Sequence, residues 1–261
     1  KEVSIIKETK QDLEMVAAYK EGYEALEKGD PYFAANKFLE SELLYPQSEW
    51  APKSILMAAY AFYSQDYYER AISELERFIK KYPNHKNIDY AYFLMANSYY
   101  EKIVDEKKDL QSILDAKKIF NIIVRDFSNS EYAIDAEFKL ELINDILASK
   151  EMYVGRYYFE KKKWIPSINR FRTVVDQYET TIYVEEALHR LVEVHYKIGL
   201  TEEAKKYANL LGYNYKSSKW YEKSYFIFNK EYEKNIERIK KEKDKNNSIL
   251  NKIKSLFDWD E

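Results

Sequence analysis

The stretch Ile55–Pro83, which reads ILMAAYAFYSQDYYERAISELERFIKKYP, decides the fold of this chain. It contains two runs with the periodicity of a helix, and each run places small and large apolar residues on one face. These are Ala59 and Phe62 in the first run, and Ala71, Leu75 and Phe78 in the second. The polar residues Ser64–Asp66 separate the runs, and Pro83 ends the second because proline disfavours helical geometry in the residue before it. The stretch therefore predicts a hairpin of two helices.

The same pattern occurs five times along the chain. The small residue of the second helix recurs at Ala34, Ala71, Ala116, Ser167 and Ala204. Small residues let paired helices approach closely, and large residues fill the gap between them. The units resemble tetratricopeptide repeats, in which each hairpin buries its apolar face against its neighbours. The fold class predicted is therefore all-α, a tetratricopeptide-repeat solenoid of five helical hairpins followed by a C-terminal capping helix and a charged tail.

Two of the intervals between repeats are longer than the basic interval of 37 residues. The excess is 8 residues around Glu101–Leu114 and 14 residues around Tyr132–Ala148. These excesses are close to two and four turns at about 3.6 residues per turn, so each could lengthen a helix without rotating its buried face. We predict long helices at both places, and a loop remains an alternative for the first.

The sequence after Trp220 departs from the repeat pattern. A first helix reaching about Ile239 would cap the apolar end of the last repeat. The charge-rich stretch Lys240–Lys245 follows it, and apolar residues return in Ile249–Trp259. That last stretch is open to two interpretations, a frayed tail or an amphipathic helix that binds a partner.

Composition argues against several classes of function. The 42 basic and 45 acidic residues are interspersed, whereas nucleic-acid binding needs a concentrated basic face. No apolar run approaches the roughly 18 residues of a membrane span. The chain has no cysteine and no glycine-rich phosphate loop. His195 occupies a core position of its repeat, and Glu186 and His189 have a metal-ligand spacing without the further ligands that a metal site needs. We therefore predict no catalytic residue, no metal and no cofactor.

A tyrosine-rich wall is the strongest candidate for a binding surface. If the first helix of each hairpin lines a groove, the repeat register turns a set of side chains inward. They are Tyr19, Tyr23 and Leu26 in the first unit, and Leu56, Tyr60 and Tyr63 in the second. Tyrosines at this spacing could hold an extended peptide by stacking and hydroxyl hydrogen bonds. The alternative is that these tyrosines only pack between hairpins.

Several short stretches are more specific than a general repeat. The first is the run Arg77–Tyr90, which reads RFIKKYPNHKNIDY. The others are Asn129–Tyr132, and Trp164 followed by Asn169 and Arg170. Over residues 17–212 the chain resembles the BamD (YfiO) family of outer-membrane lipoproteins. The resemblance implies a scaffold of the β-barrel assembly (BAM) complex. Such a scaffold binds the periplasmic POTRA region of the barrel subunit BamA and also binds nascent barrel proteins.

The resemblance also implies roles for particular residues. Arg170, with Trp164, matches the docking position for BamA, and the alternative for Arg170 is a local ion pair. Tyr45 lies at a turn linked to contact with the C-terminal signal of the substrate. The junction residues are expected to fix the turn between repeats by hydrogen bonds, because helix ends leave unsatisfied backbone groups. They are His85, Asn87, Asp89 and Tyr90.

The resemblance further divides the chain into regions. They are an N-terminal extension (1–16), repeats 1–3 as the substrate end (17–128), repeats 4 and 5 as the docking end (129–219), and the capping helix with an amphipathic tail (220–261). The tail is a candidate site for accessory BAM lipoproteins. A lipid anchor upstream of Lys1 would hold the protein on the periplasmic face of the outer membrane. The alternative function is another periplasmic tetratricopeptide adaptor, of the cell-division or envelope-energisation type.

Overall fold

A computed structural model describes residues 10–102 and 110–229, and the described residues form eleven α-helices and no strand. The helices are α1 (Lys10–Glu27), α2 (Pro31–Leu44), α3 (Trp50–Tyr63), α4 (Tyr68–Lys81), α5 (Ile88–Glu101), α6 (Leu110–Asp126), α7 (Tyr132–Glu160), α8 (Trp164–Gln177), α9 (Val184–Lys197), α10 (Thr201–Asn214) and α11 (Lys219–Phe228). Helices α1 to α10 are the ten members of the five predicted hairpins, and α11 follows the last one. The predicted all-α class and the hairpin order are confirmed. None of the described helices is long and apolar enough to cross a membrane.

The chain divides within α7 into two compact units, one ending at Ile143 and the other beginning at Asn144. In the first unit the core of the first two hairpins is built from alanine and phenylalanine. Its buried members are Ala25, Ala34, Ala35, Phe38, Ala58, Ala61, Phe62 and Ala71. The N-terminus of α2 is capped by Asp30, whose carboxylate accepts the Phe33 N–H at 3.1 Å, and Pro31 occupies the first helical position.

The second unit uses the same construction. Gly155 of α7 and Ser167 of α8 bring these helices close together, and the Ser167 hydroxyl donates to the Gly155 carbonyl at 3.0 Å. Phe171 fills the space beside them and is fully buried. Helix α11 is capped at its N-terminus by Ser218, whose hydroxyl accepts the Trp220 N–H at 3.1 Å. The helix packs on α9 through Ser224, which is fully buried.

The longer repeat intervals are resolved in two ways. The second prediction is confirmed, because α7 has 29 residues whereas α8 has 14. At the first interval, α5 keeps 14 residues and ends at Glu101 with Lys102 as its C-cap. Part of that excess lengthens α6 to 17 residues, and residues 103–109 lie outside the described part of the chain.

The predicted cap is described only in its first part. Helix α11 ends at Phe228, because Asn229 leaves helical geometry at φ −131° and ψ 78°, and residues 230–239 of the predicted helix lie outside the described residues. Asparagine is a poor former of helix interiors, and it favours helix ends. The charged stretch Lys240–Lys245 and the segment Ile249–Trp259 lie outside the described residues.

Candidate functional site

The first repeat carries an aromatic pocket of about 250 Å³. Tyr19 forms its floor, with ring centroids 5.1 Å from Phe38 and 5.0 Å from Trp50, both in edge-to-face geometry. Its lining is Val16, Tyr19, Lys20, Tyr23, Glu24 and Trp50. Tyr23 is 49% exposed and stands at the mouth. Burial, and then the neighbouring Tyr23, raises the pKa of Tyr19, so its hydroxyl stays protonated and can donate a hydrogen bond.

The second repeat continues the tyrosines but divides them by exposure. Tyr60 is 40% exposed, whereas Tyr63 is half-buried and packs 5.8 Å from Tyr68. Tyr90, from the next repeat, lies near Tyr60 and Tyr63. Burial is the main cause that raises the pKa of Tyr90 to about 12, and the neighbouring tyrosines add to it.

The tyrosines of the predicted wall divide into packed and exposed side chains. Tyr19 belongs to the packing between hairpins, because its ring lies between Phe38 of its own hairpin and Trp50 of the next. Tyr23 and Tyr60 keep two fifths or more of their surface exposed. Tyr45 is the C-cap of α2 and is not among the residues that line the pocket. The wall thus has a packed floor and an exposed rim.

The junction between the second and third repeats is held by short hydrogen bonds. The Nδ1 atom of His85 accepts the Asn87 N–H at 3.2 Å, and the ring packs edge-on against Phe78 at 5.3 Å. The carboxylate of Asp89 accepts the Tyr90 N–H at 2.8 Å and the Ser130 hydroxyl at 2.7 Å. Burial lowers the pKa of His85, with Lys86 and Lys53 adding to the effect, which favours the neutral ring that accepts this bond.

His85 takes a place that serine takes at other junctions. The hydroxyls of Ser48, Ser130 and Ser218 each accept a backbone N–H two or three residues ahead, at 3.2, 3.3 and 3.1 Å respectively. Each serine lies one or two residues before a helix, which is the first helix of a hairpin for Ser48 and Ser130 and the capping helix α11 for Ser218. The ring nitrogen of His85 accepts a backbone N–H two residues ahead in the same way, so its described contacts hold the turn that precedes α5.

An aromatic pair recurs at these junctions, and the sequence reasoning missed it. At three junctions, a residue of the first helix of a hairpin packs against the aromatic residue that lies two positions after the next capping serine. The pairs are Tyr19 with Trp50 at 5.0 Å, Phe93 with Tyr132 at 4.9 Å, and His189 with Trp220 at 5.2 Å. The signal that would have revealed it is an aromatic residue two positions after each of those serines.

The predicted docking residues lie in the second unit, at different points of α8. Trp164 is the first residue of α8, and its ring packs edge-on against Phe159 at 5.6 Å. Arg170 lies farther along the helix, and its Nη1 atom donates to both carboxylate oxygens of Glu151 at 3.1 and 3.0 Å. The local ion pair considered for Arg170 is thus formed, while 46% of the Arg170 side chain stays exposed.

The three histidines do not assemble a reactive centre. His195 is buried, with Nδ1 2.7 Å from the Leu191 carbonyl, so it is a core residue as predicted. His189 is buried with Nδ1 2.9 Å from the Ser224 hydroxyl, and burial lowers its pKa to about 4. The carboxylate of Glu186 is engaged by Arg156 at 2.9 Å. No group of three or more potential metal ligands occurs in residues 10–102 and 110–229.

Comparison with known proteins identifies the family. The YfiO family, described as "Outer membrane lipoprotein", matches residues 11–210. A protein of Rickettsia prowazekii is 43% identical over 207 residues, which cover 79% of this chain and 82% of that protein. A protein of Caulobacter vibrioides is 40% identical over 211 residues, covering 81% and 69%. A protein of Neisseria meningitidis serogroup A is 30% identical over 218 residues, covering 80% and 82%.

All three relatives carry the name "Outer membrane protein assembly factor BamD". The match spans all five hairpins and includes the junction at His85–Tyr90, where the sequence first showed the resemblance. The chain therefore belongs to the YfiO (BamD) family of outer-membrane lipoproteins.

Proposed function

We propose that this chain is a non-enzymatic scaffold of the BAM complex and holds polypeptides at two separate surfaces. Membership of the YfiO family and the names of the relatives support this role, since those relatives are assembly factors. The same support favours it over an adaptor for cell division or envelope energisation. The protein would act at the periplasmic face of the outer membrane. Mass spectrometry of the protein purified from cell envelopes tests for a lipid on a residue upstream of Lys1.

The substrate surface is the aromatic pocket of the first repeat together with the exposed tyrosines beside it. The observation that carries this assignment is the combination of a packed floor, Tyr19 and Trp50, with an exposed Tyr23 at the mouth of a cavity of about 250 Å³. An aromatic side chain stacked on such a pocket gains about 0.5–1.5 kcal/mol beyond the burial of its area. Lys20 and Glu24 at the rim can engage backbone or side-chain polar groups of the same segment. The pocket thus fits an extended segment with an aromatic residue, such as the C-terminal strand of a barrel protein.

Peptide binding tests this surface. A labelled peptide from the C-terminal strand of a barrel protein is titrated with the wild-type chain and with Tyr23→Ala, Tyr60→Ala and Tyr45→Ala. We expect Tyr23→Ala to raise Kd at least fivefold, and Tyr60→Ala to raise it less. Tyr213→Ala is the matched control, because Tyr213 is 89% exposed but lies on α10 of the second unit. Equal affinity of the Tyr23 and Tyr213 variants would refute the assignment.

The docking surface for a BamA-type subunit is proposed around Trp164 and Arg170. The Arg170 guanidinium has five donors, and its bonds to Glu151 use Nη1 only. The exposed remainder can therefore form a further bond to an acidic residue of a POTRA domain. Glu151 would then hold the guanidinium in position, so one arginine would bridge an internal and an external carboxylate.

A pull-down with the purified POTRA region separates the two roles of Arg170. We expect Arg170→Glu to abolish capture and Arg170→Lys to weaken it, since lysine cannot bridge two carboxylates in the same geometry. Glu151→Gln removes the internal pair and leaves the external one, so it should retain most of the capture. If Glu151→Gln loses as much capture as Arg170→Glu, Arg170 acts only through its internal pair. Binding of accessory lipoproteins to the tail concerns residues outside the described part of the chain.

A further inference from the structure

A second groove lies in the second unit, between α9 and the capping helix α11. Its volume is about 550 Å³. The lining is His189, Arg190, Glu193, Tyr196, Lys197, Trp220, Lys223, Phe226 and Ile227. Trp220 packs on His189 at 5.2 Å, and the rings of Tyr196 and Phe226 also line the groove, so much of its surface is aromatic.

The rim of this groove carries an excess of positive charge. The positive charge of Arg190 is neutralised by carboxylates, because it donates to Glu193 at 2.6 Å and pairs with Glu186 at 3.4 Å. Lys197 and Lys223 have no carboxylate partner among the described residues. Their ammonium groups instead lie over aromatic rings, Lys223 at 4.2 Å from the Trp220 centroid and Lys197 at 4.5 Å from that of Phe159. A segment that fits must therefore combine aromatic residues with carboxylates.

We propose that the groove binds residues Leu256–Glu261 of the same chain. This segment reads Leu-Phe-Asp-Trp-Asp-Glu, which places three carboxylates around two aromatic residues. The preceding stretch Lys240–Lys245 has four lysines and two acids, so the rim would repel it. The connection from Asn229 to Leu256 contains 26 residues, and at up to about 3.3 Å per residue it can return the segment to α11.

The pocket of the first repeat provides a matched comparison. It occupies the corresponding register, with Tyr19 for His189, Tyr23 for Glu193 and Trp50 for Trp220. Its rim has one cation and one anion, Lys20 and Glu24, and hence no excess of positive charge. The acidic segment should therefore distinguish the two pockets by charge, since both offer aromatic surface.

Disulfide trapping tests the proposal in the full chain, which has no native cysteine. The pair Tyr196→Cys with Asp260→Cys is compared with Tyr23→Cys with Asp260→Cys, under oxidised glutathione. We expect the intramolecular disulfide to form at least tenfold faster in the first pair. Lys197→Cys replaces Tyr196→Cys if circular dichroism shows that the first variant is unfolded.

Two further variants separate charge complementarity from chance contact. Adding Lys223→Glu should slow trapping at least threefold, and adding Asp258→Lys to that variant should restore it. Equal trapping rates for the two cysteine pairs would overturn the proposal, as would a rate that Lys223→Glu leaves unchanged. A product that consists only of disulfide-linked dimers would also overturn it, because the segment would then bind a second copy. None of these readouts depends on the proposed role in barrel assembly.

Discussion

Gly155 offers a direct test of how closely the helices of a hairpin approach each other. A Cβ atom at this position would lie 2.6 Å from Cε1 and 2.8 Å from Cδ1 of Phe171. Optimal contacts between carbon atoms are about 3.5–4.0 Å, so the substitution Gly155→Ala forces an overlap of nearly 1 Å. Phe171 is fully buried, and its ring therefore has little space into which it can move.

Two effects of Gly155→Ala oppose each other. Alanine favours the interior of α7 over glycine by about 0.8–1.0 kcal/mol. Overpacking of a well-packed core costs typically about 1–3 kcal/mol, and the depth of this overlap places the cost in the upper half of that range. We therefore expect the free energy of unfolding to fall by about 1–2 kcal/mol.

Urea unfolding followed by circular dichroism measures this change. Gly22→Ala is the graded control, because the equivalent Cβ lies 3.0 Å from two ring atoms of Phe38. The shallower overlap should cancel more nearly against the gain in helix propensity, so this variant should stay closer to wild type. A Gly155→Ala protein as stable as wild type, or less affected than Gly22→Ala, would refute the reasoning.

Three further predictions concern buried or partly buried polar groups. Glu42 is buried, and its carboxylate accepts bonds from Arg77 at 2.6 and 2.8 Å. Glu42→Gln should therefore lower the free energy of unfolding by about 2 kcal/mol. A change below a quarter of that value in urea unfolding contradicts the prediction. Burial lowers the pKa of His189 to about 4, below its unfolded value near 6.5. The unfolded state therefore binds a proton more readily, so the free energy of unfolding is at its full value above pH 6.5 and falls by on the order of 3 kcal/mol as the pH drops towards 4. His189→Phe should flatten the pH dependence of unfolding over that window, and an unchanged slope would show that His189 is not its source. His85→Ser should preserve stability better than His85→Ala, because a serine hydroxyl can still accept the Asn87 N–H, and the loss of that bond costs about 1 kcal/mol. Equal urea midpoints for the two variants would show that this bond does not stabilise the turn.

The hairpins could be predicted because buried positions obey a strict register. A small residue at Ala34 or Ala71 is needed wherever two helices meet closely, and this need repeats in every unit. Element ends follow no such rule. Helix α5 ends at Glu101 and α11 at Phe228 because of local backbone preferences and contacts, which the spacing of core residues does not contain.

The site residues were harder to predict because they depend on contacts between helices. The partner of Arg170 is Glu151, which lies 19 residues earlier and on a different helix. Tyr19 lines the pocket of the first repeat and also packs against Trp50, a residue that the repeat pattern did not single out. An inward position of a first helix can thus also be a position of contact between hairpins.

The two pockets share one repeat register but differ in charge. Both pockets have a tryptophan after the capping serine. Trp50 packs on Tyr19 of α1, and Trp220 packs on His189 of α9. The residue at the mouth differs, Tyr23 in one pocket and Glu193 in the other, and the second pocket adds the cations of α9 and α11. Packing between hairpins therefore constrains the floor, whereas the exposed positions are free to change in charge. Under the two proposals, the mouth and the rim set the chemistry of each ligand, and the tryptophan supplies a common aromatic surface.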